Sequence, residues 1–460
     1  VRIRARLALA ASGAALLGAP ASAQAHGLVQ RTNLPIPEWL FGWAAAIVLV
    51  VSFAALAVLW PAPRLQRPAW RPLGAFGRIL GSRAVEWACR LLGVGLFVVV
   101  VLAGYLGEDF ALSNLAPTFI LIVFWVGLAF ASVLFGDLFR VFSPWRAVPF
   151  PGLRPYPERW GRYPAAIALL AFTWLELVSG WGEDPALLVT VALLYTAYTL
   201  AMQAVFGTET WSQRGEGFAV YFNLFSRMSV WERRGREIGL RPPLGGLPRL
   251  DAVPGTVLFV VVMIGTVTFD GLSQGSLWSD LSVDLARAVD GVVGAETAPK
   301  VADTFGLLLA VAAVGLFYRL GIAGARSVGG DLDAPRLRRE FIHTLVPIAL
   351  VYVAAHYLTF LLFEGQAFLY LASDPFGQGW DLFGTASRAI DYTYLSQTAA
   401  WYLQVAFVVL GHVAALMLAH DRALALYEDA RLAVRSQYWM LAVMVGFTSL
   451  ALWLLASAGA

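Results

Sequence analysis

Long apolar stretches alternate along this chain with shorter polar ones in which arginine is the dominant charge. Ten apolar stretches lie near 40–60, 91–106, 118–136, 164–181, 186–207, 254–270, 304–323, 341–363, 398–419 and 437–457. Crossing the hydrocarbon core of a bilayer takes roughly 20 helical residues. Most of the ten approach that length, the second and fourth being shorter. Lipid offers no partner to an unpaired backbone group, so spans of this kind must be helical. The pattern predicts an all-α polytopic transmembrane helix bundle of about ten spans, built as one integral-membrane domain over 26–460.

The first 25 residues read differently. Arg2, Arg4 and Arg6 precede the apolar run "LALAASGAALLGAP", which is too short to span, and "ASAQA" offers small residues at Ala23 and Ala25. This is the layout of a secretory signal peptide over 1–25. Cleavage after Ala25 makes His26 the mature N-terminus.

Composition turns the pattern into a statement about solvent. Hydrophobic residues make up 59% of the 460 residues and charged residues 14%, against about 45–50% and 25% in soluble domains. One or two cores in a water-soluble chain cannot hide this much apolar surface, so the excess faces a lipid bilayer. The formal net charge of +3 does not mark an anionic partner, because the charges follow the membrane. With the mature N-terminus outside, the loops 61–90, 137–163, 208–253, 324–340 and 420–436 hold 25 basic residues, and the opposite loops hold four. The asymmetry places those five loops in the cytoplasm. It makes the chain a multi-pass plasma-membrane protein with both mature termini outside. No nucleic-acid partner is expected. The lone cysteine, Cys89, excludes an intramolecular disulfide and a cysteine-rich metal site.

Three loops carry expectations of structure. In the outside loop near 271–303, "LWSDLSVDLARAVDGVVG" predicts an amphipathic helix lying at the interface. The outside loop near 364–397 contains "DPFGQGWDLFGTASRAIDY" and predicts an ordered cap. On the cytoplasmic side, "RGEGFAVYFNLFSRMSVWERRGREIGL" reads as an interfacial helix with snorkelling arginines.

An ionisable group within the bilayer costs at least ~2.5–3.5 kcal/mol and needs a reason to be there. The candidates are Glu176, Asp270, His343, His356, His412 and His420. At 1.5 Å per residue, Glu176 lies roughly 9 Å below the outer surface, His356 roughly 10 Å and His412 roughly 20 Å. Asp270 ends its span on the same side. His343 and His420, with Asp421 beside it, fall at the cytoplasmic edge. One reading makes the histidines neutral bridges between helices, worth about 0.6–2 kcal/mol each. A haem reading is disfavoured, since His356 and His412 differ in depth by about 10 Å and no CxxCH motif is present. A third reading gathers Glu176, Asp270 and His356, with His412 as floor and His26 from above, into a metal or proton site opening outward. Imidazole and carboxylate suit a divalent metal such as zinc. Its bound water is a competent nucleophile for ester hydrolysis, with Asp270 as the catalytic carboxylate. No HExxH spacing accompanies these residues.

Several stretches taken together resemble a family. Mature "HGLVQRTNLPIPEWLFGWAAAIVLVVSF", "FGDLFRVFSPWRAV", "TVTFDGLS", "HTLVPIALVYVAAHY", "SDPFGQGWDLFGT" and "GHVAALMLAHDRALALY" resemble the actinobacterial multi-pass membrane proteins labelled fenitrothion hydrolase. The resemblance runs over nearly all of the mature chain. It implies hydrolysis of organophosphorus (thiophosphate) esters, a small-molecule substrate, and no particular residues. The alternative from the residues themselves is a proton-coupled transporter or channel for a small solute or metal ion, since intramembrane carboxylates and histidines suit such a carrier. An accessory membrane subunit without chemistry of its own is the third possibility.

Overall fold

The computed structural model describes residues 38–328 and 332–457. The expected signal peptide and His26 lie outside the described residues. Within them the chain is overwhelmingly helical, and eight helices are long and apolar enough to cross a membrane.

The first span, α1, covers Glu38–Leu59. The second, α2 (Arg83–Leu106), is longer than its apolar run predicts. Ser82 caps its first turn through Val85 N. Glu86 pairs with Arg90 a turn later and with Arg233, distant in sequence. Next, α3 runs over Leu115–Phe135 and is π-helical between Thr118 and Gly127. The fourth predicted segment forms α4 (Tyr163–Trp174), which continues into a π-helical turn at Leu175–Ser179. That turn stops where Gly180 takes a left-handed conformation, φ 76°, which glycine adopts without a Cβ penalty. The fifth span is α5 (Pro185–Phe206), opened by an Asp184 cap.

The cytoplasmic-loop expectation over 214–240 is corrected. Its aromatic part forms α6 (Gly217–Ser226), sunk into the protein rather than laid on its surface. Phe218, Tyr221 and Phe222 are buried against Phe124 and Trp125 of α3, and buried Phe225 packs on Tyr221. The basic part folds as a hairpin, and β1 (Arg71–Pro72) joins it. The hairpin strands are β2 (Trp231–Arg234) and β3 (Glu237–Leu240), in the order β1-β3-β2. Glu232 answers the crowding of arginines, with Arg249 at 2.7 Å and Arg234 at 3.3 Å.

The long helices that follow are α7 (Thr256–Ser273), α8 (Ser276–Val293), α9 (Ala298–Ser327), α10 (Val346–Leu362), α11 (Gln397–Leu426) and α12 (Tyr438–Ser457). The amphipathic helix expected in the 271–303 loop is α8, anchored by buried Trp278, whose Nε1 donates to Asp303 at 2.9 Å.

Burial sorts the spans. A helix apolar on every side belongs either in a bundle core or against lipid. Here α7 and α10 take the core, with every residue from Phe259 to Gly271 and from Val346 to Tyr357 buried. Most others turn large apolar side chains outward, as α1 does with Ile47 and Val51. Small residues let the central helices touch. A Cβ on Gly265 of α7 would meet the Val311 backbone of α9 at 2.5 Å, and one on Gly411 of α11 would meet the Val351 side chain of α10 at 2.4 Å. Close backbone approach is the usual means of helix association in lipid.

Candidate functional site

Asp270 sits in the last turn of α7, and His356 and Tyr357 sit on α10. These are the two most buried spans. Asp270 is 1% exposed, Tyr357 2% and His356 5%. The Tyr357 hydroxyl donates to Asp270 Oδ2 at 2.6 Å. His356 Nε2 stands 2.7 Å from the same oxygen as an ion-pair contact, without the alignment of a regular hydrogen bond. The oxygen is therefore shared by a phenol donor and a titratable ring.

Glu176 approaches from the π-helical turn that ends α4. Such turns recur at functional positions because they displace a side chain from the helical register. Its Oε2 is buried without a hydrogen-bond partner. Asp270 and Tyr357 lie within its electrostatic reach, and so does Tyr221 of α6, whose hydroxyl is likewise buried and unpartnered. Bare polar atoms of this kind cost about 1–3 kcal/mol each. They persist where water or a ligand visits.

The other predicted residues fall elsewhere. His412 on α11 directs Nδ1 to the Val408 carbonyl at 2.7 Å, and its ring faces Tyr352, 6.4 Å between centroids. Tyr352 is one helical turn from His356 on α10, so His412 lies a turn deeper than the Asp270–His356 contact. Its Nε2 is buried and unpartnered, as are both amide atoms of Gln404 two turns away on the same face of α11. His343 is buried near the start of α10 with its Nε2 unpartnered. His420 and Asp421 form a staple. His420 bridges the Trp60 carbonyl at 3.1 Å and Gln437 Oε1 at 3.2 Å. Asp421 accepts from Trp60 Nε1, Leu65 N and Gln66 Nε2 at 3.1, 3.1 and 2.6 Å, and from Arg64 N. This carboxylate ties the chain beyond α1 to α11.

Asp270 and His356 are spaced as a direct pair rather than as two ligands of one metal. Two ligands of one tetrahedral zinc, each about 2.0–2.1 Å from it, stand about 3.3 Å apart. The 2.7 Å contact between His356 and Asp270 is direct pairing instead. Among the described residues no three His, Cys, Asp or Glu side chains gather as a metal would require. His26 lies outside the described residues.

Tyr357, Tyr221, Tyr352 and Gln404 were absent from the sequence-based candidates. Tyr357 had a signal, as the neighbour of His356 in "AAHYLTF". Gln404, in the otherwise apolar and aromatic "WYLQVAF", had another. No protein-family model matches the sequence, and no curated protein or solved structure matches it either.

Proposed function

We propose that this is a multi-pass plasma-membrane protein whose buried Glu176–Asp270–His356–Tyr357 cluster faces outward and exchanges protons, as the binding site of a proton-coupled carrier for a small solute. The observation that carries the reading is the 2.7 Å contact between His356 and Asp270 inside the bundle core. Titratable groups are placed at such depth at a penalty, and they mark ion and proton pathways. Asp270 and His356 hold one proton between them, Tyr357 steadies the shared oxygen, and Glu176 accepts or returns the proton through water. The arginine-rich loops support the orientation.

A pH-jump infrared measurement on the purified protein tests the exchange. A carboxyl band should appear and vanish with pH in the wild type and change in Asp270→Asn and Glu176→Gln. A spectrum insensitive to pH refutes the proposal. Pyranine-loaded proteoliposomes then screen small solutes and metal ions, and the transported one should acidify the lumen on addition.

The hydrolase that the family resemblance implies is the second reading, and one observation favours it. An imidazole held by a carboxylate is the arrangement of a general base acting on water. Turnover of a thiophosphate ester by the wild type, lost in His356→Ala, would decide for it.

A further inference from the structure

A cavity of about 870 Å³ opens between α2, α3, α4 and α5, away from the Asp270–His356 contact. Its volume falls in the usual range for small-molecule sites, but its lining does not suit a polar solute. The walls are hydrocarbon and aromatic, including Leu96, Phe119, Ala171, Phe172, Leu188 and Val191. Along α4 it extends from Tyr163 to Leu175, about 18 Å at 1.5 Å per residue. That is close to the depth of one leaflet, half of the roughly 30 Å hydrocarbon core. Its lips, Leu92 of α2 and Ile167 of α4, are exposed on the outside of the bundle, where lipid tails are the solvent.

One end of the cavity differs. Arg159, Trp160, Tyr163 and Tyr198 line it there, at the pole that carries the arginine-rich loops. Arg159 is the one charged residue of the lining, and it makes no ion pair among the described residues. Trp160 stacks edge-on with Tyr156 and Phe206, and Tyr198 with Trp211. Aromatic rings with polar tips collect at headgroup level. Basic pockets between spans on the cytoplasmic side bind anionic headgroups.

We propose that this cavity holds an acyl chain of an anionic phospholipid, with the headgroup paired to Arg159. Water finds no partners along such walls, and an empty volume of this size forfeits the dispersion contacts that a tail restores. The inference is independent of the proton site, because the cavity shares no residue with the Asp270–His356–Tyr357 contact.

The test is native mass spectrometry of the full-length protein, delipidated and titrated with phosphatidylglycerol or phosphatidylcholine of identical chains. The wild type should retain phosphatidylglycerol roughly fivefold better, the preference that one arginine near the surface supplies. Ala171→Trp and Ala192→Phe fill the cavity and should abolish retention of both lipids, while thermal melting shows that each variant is folded. Arg159→Gln should keep the tail and lose the preference. Wild-type protein that retains neither lipid, or filled variants that retain as much as wild type, overturns the tail site. Equal retention of the two lipids by the wild type overturns the headgroup assignment.

Discussion

The Asp270–His356 contact can be weighed by a double-mutant cycle. At 2.7 Å and an effective dielectric near 20, opposite unit charges attract by about 6 kcal/mol before desolvation is subtracted. His356→Gln leaves the Asp270 carboxylate buried with the Tyr357 hydroxyl donating to it. Stripping one partner from a buried pair costs about 3–5 kcal/mol. Asp270→Asn keeps an acceptor for Tyr357 and removes the charge. In the double variant two neutral amides face each other, so the losses should not add. The expected coupling is about 2–4 kcal/mol, against an average near 0.6 for ordinary polar contacts between membrane helices. Reversible unfolding from mixed micelles, read by tryptophan fluorescence for the four proteins, measures it. A coupling at or below about 0.6 kcal/mol would mean that no charge or proton is shared, and the proposed proton site would lose its basis.

Three further outcomes follow from the geometry. Asp421→Ala strips the acceptor from several donors beyond α1 and should destabilise by about 3–5 kcal/mol in the same unfolding assay, with Asp421→Asn milder. Gly265→Leu forces α7 away from the Val311 backbone and should cost about 3 kcal/mol or prevent folding, seen as loss of the monodisperse peak in size-exclusion chromatography. Glu209, beyond α5, gives a pH dependence. Burial alone pushes its carboxyl up, but Arg146 and Arg140 reverse this and hold it at about 2. A depressed carboxylate adds stability above its unfolded value near 4.5, and that stability is lost as pH falls through about 2. Glu209 is half exposed, so the amount is at most ~1 kcal/mol. Glu209→Gln should lower stability by up to that amount at neutral pH and flatten the profile below pH 4.5, so that the two proteins converge near pH 2.

What the sequence by itself determined is set by one-dimensional constraints. Lipid requires about 20 apolar residues per crossing, and helices form over each of the ten apolar stretches. Depth along a span is also a one-dimensional quantity, so Asp270 and His356 could be assigned to the outer side of the membrane, and His412 to a deeper position, by counting residues. The chain alone leaves open the rotation of each helix about its axis and the choice of neighbours. Those came from the tertiary structure, where Gly265 lets α7 close on α9, Gly411 lets α11 close on α10, and His356 meets Asp270. Rotation also put Tyr357 on the same oxygen and left Gln404 facing inward without a partner. The arginine-rich loop after α5 misled for a related reason. Its aromatic and basic residues alternate as an interfacial helix would, but Phe218, Tyr221 and Phe222 find a buried face on α3 and the arginines find Glu232. Tertiary partners, which no local pattern encodes, outweighed the local preference.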